Sequence, residues 1–196
     1  MVTSRLMKYI LSVLLLFSVA ATLYFLPVET EIEAEDANVQ IQPSGRVLQY
    51  GIYELVRGGN VVDSKVTTTG KAVSGVTIQQ VEQTERIPAK KDVYFSYQYR
   101  LSHLKLKKGA ENGVINLTRK LKHPPITLPD GSVKSGSEYM IKGKVRRGEV
   151  FAFDGYAFNE DYELVEGEWV FQIWHKDIKL VEQKFISYFP EETDRG

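Results

Sequence analysis

The chain has 196 residues, 43% hydrophobic and 26% charged, a balance that excludes a disordered body. It holds no cysteine, which rules out disulfides, thiolate nucleophiles and Cys-ligated zinc or iron–sulfur sites, though not an oxidising compartment. Its 25 basic and 25 acidic side chains cancel but are segregated: residues 100–147 carry 12 basic and 3 acidic groups, and residues 148–196 carry 4 and 12.

The chain opens on an uncharged run, residues 9–28, with Arg5 and Lys8 before it and Glu29, Glu31, Glu33, Glu35 and Asp36 after it. Twenty helical residues span about 30 Å, the thickness of a bilayer's hydrocarbon core. The positive-inside rule then keeps the N-terminus cytoplasmic and exports the body. Residues 1–28 therefore read as a single-pass signal anchor in the cytoplasmic membrane, with the body periplasmic or extracellular. The alternative is a signal peptide cleaved near Ala20 or Ala21, which would release the body to the periplasm. The anchor is favoured because the run exceeds the usual core of about 7–15 residues. Cleavage after Ala21 would also leave the apolar start TLYFLPV. Residues 29–46 read as an acidic spacer.

From residue 47 the hydrophobic pattern has period two. Phe95 and Tyr97 alternate with Ser96 and Gln98 in a strand over 93–101, and Trp169, Phe171 and Ile173 alternate with Val170 and Gln172. These five apolar residues are the expected core. Tyr139, Ile141 and Val145 alternate with Lys142, Lys144 and Arg146. Further strands are expected over 47–57, 61–69, 75–84, 148–158 and 178–188. Gly58-Gly59-Asn60, Pro129-Asp130-Gly131 and His175-Lys176-Asp177 carry turn chemistry. Residues 103–122 fit either a short strand pair or a long surface loop. Leu180 and Phe185 have opposite parity, so a β-bulge is expected between them. Short strands without a long amphipathic helix in the body argue a sandwich or barrel over residues 47–190, followed by a tail over 191–196.

The most specific pattern is Glu163-Leu164-Val165-Glu166-Gly167-Glu168-Trp169, then Phe171-Gln172-Ile173-Trp174, Lys179-Leu180 and Phe185. Upstream stand Tyr50-Gly51-Ile52-Tyr53, His123-Pro124-Pro125 and Pro129-Asp130-Gly131. Together they resemble a bacterial family of small immunoglobulin-like β-sandwich proteins known as a domain of unknown function. The resemblance covers about residues 47–190. It implies an all-β, immunoglobulin-like antiparallel β-sandwich exported to the cell envelope, and here an N-terminal hydrophobic helix precedes it. It supplies no catalytic residues. Gly167 would permit a sharp turn into the strand that carries Trp169.

Motifs for chemistry are sparse. His103, His123 and His175 lie in separate segments without metal-ligand spacing, and His123 before two prolines reads as a loop residue. No GxSxG elbow, P-loop or dinucleotide fingerprint is present, and Ser135-Gly136-Ser137 reads as loop. The acidic stretch from Asp154 to Glu168, with Glu160, Asp161, Glu163 and Glu166, matches no EF-hand and reads as a solvated turn. No catalytic site, metal or cofactor is expected. The basic block is the leading functional candidate. Lys142, Lys144 and Arg146 should share one solvent face, and Lys105, Lys107 and Lys108, with Arg119, Lys120 and Lys122, could extend it. Outside the cytoplasm its partners would be anionic lipid headgroups, anionic glycans or an acidic envelope protein, not nucleic acid. The simpler reading is that the two charge blocks lie near each other and partly neutralise. The sequence thus points to a non-catalytic envelope module for binding or assembly, rather than to a hydrolase.

Overall fold

The computed structural model describes residues 42–57, 60–74, 77–104 and 112–191. The hydrophobic run, nearly all of the acidic spacer, Gly58 and Gly59, Lys105, Lys107 and Lys108 lie outside the described residues. In chain order the strands are β1 (Ser44–Arg57), β2 (Asn60–Asp63), β3 (Lys71–Ser74), β4 (Thr77–Glu82), β5 (Arg86–Pro88), β6 (Tyr94–Ser102), β7 (Gly113–Thr127), β8 (Val133–Val145), β9 (Val150–Ala157), β10 (Gly167–His175) and β11 (Ile178–Tyr188). A 3₁₀ turn, Asp161–Glu163, is the one helical element among the described residues. No helix among them is long and apolar enough to cross a membrane.

One sheet has the order β4-β1-β6-β9, and the facing sheet β5-β11-β10-β7-β8. With β1, β6 and β9 as A, B and E, and β8, β7, β10 and β11 as C′, C, F and G, this is the immunoglobulin-like arrangement. The sandwich is not wholly antiparallel, because β5 runs parallel to the end of β11, pairing Ile87 with Ser187. Strands β2 and β3 form a separate hairpin.

Alternation decides what lies between the sheets. On β6, Phe95, Tyr97, Tyr99 and Leu101 point inward and are buried. They meet Trp169, Phe171 and Ile173 from β10 and Phe185 from β11. Phe95 is the hub, its ring centroid 5.2–6.1 Å from those of Tyr156, Phe158, Trp169, Phe171 and Phe185. Several of these pairs are edge-to-face, the geometry that ring quadrupoles favour. The expected bulge is present: Ile173 pairs with Val181 but Trp174 with Lys179, leaving Leu180 as the extra residue. Leu180 and Val181 can thus both be buried. Gly167 has φ +131, and a Cβ there would lie 2.8 Å from Pro124 Cγ. A side chain at that position would both strain the backbone and strike the neighbouring strand.

Several expected boundaries move. β1 starts at Ser44 rather than residue 47. The strand expected over 61–69 stops at Asp63, because Thr67 Oγ1 donates to the Ser64 and Lys71 carbonyls and Gly70 turns the chain at φ +75. The 75–84 strand is replaced by β3 and β4, and β4 begins at Thr77. Residues 113–122 of the ambiguous region belong to one long strand, β7, which continues to Thr127 through His123-Pro124-Pro125. Its register with β8 shifts between Lys122 and Ile126, which accommodates prolines that cannot donate to a ladder. Ser135-Gly136-Ser137 is strand rather than loop, since β8 begins at Val133 to match that partner.

Phe95→Ala should destabilise the protein by about 3–5 kcal/mol, read from urea denaturation, because five aromatic neighbours cannot all collapse into one cavity.

Candidate functional site

Strands β8 and β9 each form one edge of their sheet and are joined by a tight turn in which Arg146 and Glu149 form a bridge. Beside this lateral edge a cleft of about 240 Å³ opens. Its charged floor comes from two strands with regular alternation. On β7, Ile115, Leu117, Arg119 and Leu121 face inward, so parity carries a guanidinium into the sandwich. On β9, Phe151 and Phe153 face outward, 61% and 44% exposed, while Val150, Ala152 and Asp154 turn the other way.

Arg119 is only 4% exposed. Its Nε donates to Asp154 Oδ2 at 2.8 Å and its Nη1 to Ser137 Oγ at 3.1 Å. The guanidinium also lies 5.4 Å from the Tyr139 ring and 5.5 Å from the Phe171 ring. Asp154 Oδ1 accepts the Gly155 N–H at 2.9 Å. Burial opposes the Arg119 charge, but the Asp154 carboxylate outweighs it and holds the pKa above its ordinary value. Burial likewise pushes Tyr94 up to about 12 and Tyr97, Tyr99 and Tyr156 upward. These phenols stay protonated at neutral pH. Arg119 therefore does not extend the surface basic block: it ties β7 of one sheet to β9 of the other.

The loop between β2 and β3 covers this cleft with Thr67, Thr68 and Thr69. It is pinned from below. The buried Thr68 shares a 3.0 Å hydrogen bond with His123 Nε2, and Lys134 Nζ donates to the Thr68 carbonyl at 3.4 Å. His123 is 5% exposed and stacks on Trp169 with centroids 5.0 Å apart, so it is not a loop residue. Its Nδ1 bonds the Pro124 carbonyl at 2.7 Å. A carbonyl can only accept, so Nδ1 carries the proton and Nε2 accepts from the Thr68 hydroxyl. Burial lowers the His123 pKa, the nearby Arg119 charge adds to this, and the Pro124 hydrogen bond opposes it.

The acidic stretch is not simply a solvated turn. Glu163 is 1% exposed. Its Oε1 accepts from Tyr156 OH at 2.9 Å, and its Oε2 accepts the backbone N–H groups of Asn159 and Glu160 at 2.6 and 2.9 Å. It fixes the connection from β9 to β10. Among the described residues no three His, Asp or Glu side chains gather as a metal-ligand set.

Lys142 and Lys144 are exposed on one face of β8, opposite Asn116 and Val114 of β7. Arg146 is exposed just beyond the strand. On the same outer face Lys120 pairs with Glu138, Lys179 with Glu182 and Lys184 with Glu168. Lys142, Lys144 and Lys122 have no ion-pair partner among the described residues. Exposed Met140 (71%) and Val114 (61%) sit among these cations. The two charge blocks do meet elsewhere, through Arg119–Asp154 and Arg100–Glu149.

Two sheets in immunoglobulin-like order, closed over an aromatic core, define the class of this protein. It belongs to the family described as a domain of unknown function, DUF3859, whose model matches residues 42–186. No curated protein matches it. Among solved structures, an immunoglobulin-like protein from Pseudomonas aeruginosa is 23% identical, with a TM-score of 0.49, over 76% of this chain and 99% of that one.

Arg119→Met should cost about 3–5 kcal/mol, because it strands a largely buried carboxylate, and adding Asp154→Leu should recover most of that loss in urea denaturation. A second expectation concerns pH. The folded His123 pKa lies below the unfolded value of about 6.5, so the unfolded chain takes up the proton first. Its contribution to stability is full above about pH 6.5 and is lost as pH falls through the lowered folded value. The melting temperature should fall between pH 7.5 and 5, and less steeply in His123→Gln.

Proposed function

We propose that this protein is a non-catalytic binding module held outside the cytoplasmic membrane, with the outer face of β7 and β8 as its contact surface for anionic lipid headgroups. The observation that carries the reading is the mixture on that face. Lys142 and Lys144 stand without ion-pair partners among the described residues, next to exposed Met140 and Val114. Cations favour an anionic surface, and protruding apolar side chains favour the headgroup boundary over a soluble polyanion. Attachment through residues 9–28 would hold the domain close to such a surface. Lys179–Glu182 and Lys184–Glu168 on the other strands, and Lys120–Glu138 farther along β7 and β8, are neutralised, which concentrates the attraction near Lys142 and Lys144. An acidic envelope protein or an anionic glycan is the competing partner.

A fragment beginning at Ile41 keeps every described strand, and it removes the hydrophobic run that would bind any bilayer. It should co-sediment with phosphatidylglycerol-containing vesicles and not with phosphatidylcholine alone. At about 1 kcal/mol per surface cation, reversing Lys142, Lys144 and Arg146 to Glu should weaken that binding more than tenfold. Raised salt should weaken the wild type similarly. Equal binding by the reversed variant rules this face out.

A further inference from the structure

We infer that the lateral cleft beside β8 and β9 is a binding site for an uncharged saccharide unit, apart from the basic outer face. Four observations lead there. First, the cleft contains a polar group with unused capacity. Arg119 spends Nε on Asp154 and Nη1 on Ser137, and Nη2 has no protein partner among the described residues. Arg119 lines the cleft, and Nη2 is not among the buried polar atoms left without a partner. An arginine this deeply buried, with Nε and Nη1 held and Nη2 without a protein partner among the described residues, is a preorganised donor.

Second, the lining is electrically balanced. Arg119 and Lys71 contribute two positive charges, and Asp154 and Glu163 two negative ones. Arg119 is neutralised by Asp154, and Lys71 lies 3.9 Å from Glu160. An anion gains little from such a wall, whereas a neutral ligand with many hydroxyls meets no net opposing charge and can regain its hydrogen bonds there.

Third, the lining suits a sugar ring. Thr69, Tyr94 and Tyr139 bring hydroxyls to the lining, and Ser137 can still donate while it accepts from Arg119; Thr67, Thr68 and Tyr156 spend their protons within the protein. The Tyr139 and Tyr94 rings and Phe153 supply flat apolar surface for the C–H face of a pyranose. Tyr94 and Tyr139 remain donors because burial keeps them protonated.

Fourth, the size is right for one unit. About 240 Å³ is below the roughly 300–1,000 Å³ of sites for larger ligands. The Thr67–Thr69 loop lies over it as a cover. The site holds rather than cleaves. Asp154 is committed to Arg119 and Gly155, and Glu163 accepts three donors, so neither carboxyl group is free for the acid–base pair that glycoside hydrolysis needs.

The test is saturation-transfer NMR on the full chain in a detergent without a sugar headgroup. N-acetylglucosamine and glucose are the probes, with glucuronate and inorganic phosphate as charged comparators. Transfer to at least one neutral sugar is expected. Ser137→Trp, which fills the cleft from an edge strand, should weaken it at least tenfold while the melting temperature stays within a few degrees. If that variant does not fold, Thr69→Trp blocks the cleft from the covering loop. Arg119→Lys keeps the charge beside Asp154 but removes the unengaged Nη2, and should also weaken transfer. No transfer to either neutral sugar overturns the inference. So does undiminished transfer in a folded blocking variant, or transfer to glucuronate or phosphate alone. The Lys142, Lys144 and Arg146 reversals should leave sugar transfer unchanged, which separates this site from the headgroup surface.

Discussion

One indole ring holds the parts of this molecule in register. Trp169 lies between the sheets, edge-on to Phe95 and Phe158, 4.7 Å from Tyr156 and stacked on His123. Its Nε1 donates to Ser187 Oγ, which donates in turn to the Val165 carbonyl. Through His123 it sets Thr68 and hence the loop over the cleft. Through Tyr156 it meets Glu163 and the connection from β9 to β10. A large aromatic with a single donor suits this role: it fills the centre of the sandwich, and its one polar atom is satisfied at the edge of the core. Gly167, two residues earlier, lets the chain reach this position without striking Pro124.

Immunoglobulin domains of antibodies join their sheets with a disulfide. This chain has no cysteine, and its sheets are joined by packing and by Arg119–Asp154. Such a pair contributes little net stability compared with apolar residues of the same volume, since both charges must be desolvated. Its effect is one of position. A guanidinium and a carboxylate brought between sheets demand further polar neighbours, and Ser137, Tyr139 and the covering threonines answer that demand. The cleft is the consequence of placing charge where the fold would otherwise place a leucine.

Period-two patterning made most strands legible, because the buried positions of β6, β10 and β11 are apolar and their neighbours polar. The bulge at Leu180 was legible for the same reason: two apolar residues of opposite parity demanded it. β7 was hidden by the residues that matter most. Its inward row reads Ile115, Leu117, Arg119, Leu121, His123, and charge and a following Pro-Pro made the second half resemble a loop. Parity with Leu117 and Leu121 was the available signal for an inward Arg119. The strand at β9 was legible, but its facing is inverted, with phenylalanines outward and Asp154 inward, so hydrophobicity alone gives no signal of the polar site there. Local rules lose their signal where a structure builds a polar site into a core, and here both β7 and β9 border the same cleft.

The parallel pairing of β5 with β11 sets the order of events during synthesis. Ile87 is fully buried at that seam, yet its partner Ser187 follows it by a hundred residues. At ribosomal rates of about 5–20 residues per second, the seam waits on the order of 5–20 s for its other half. Contacts of such long sequence separation also form slowly. The β5–β11 seam therefore stays open until β11 emerges, and a truncation just before β11 would leave Ile87 without its partner strand and one edge of β10 unpaired.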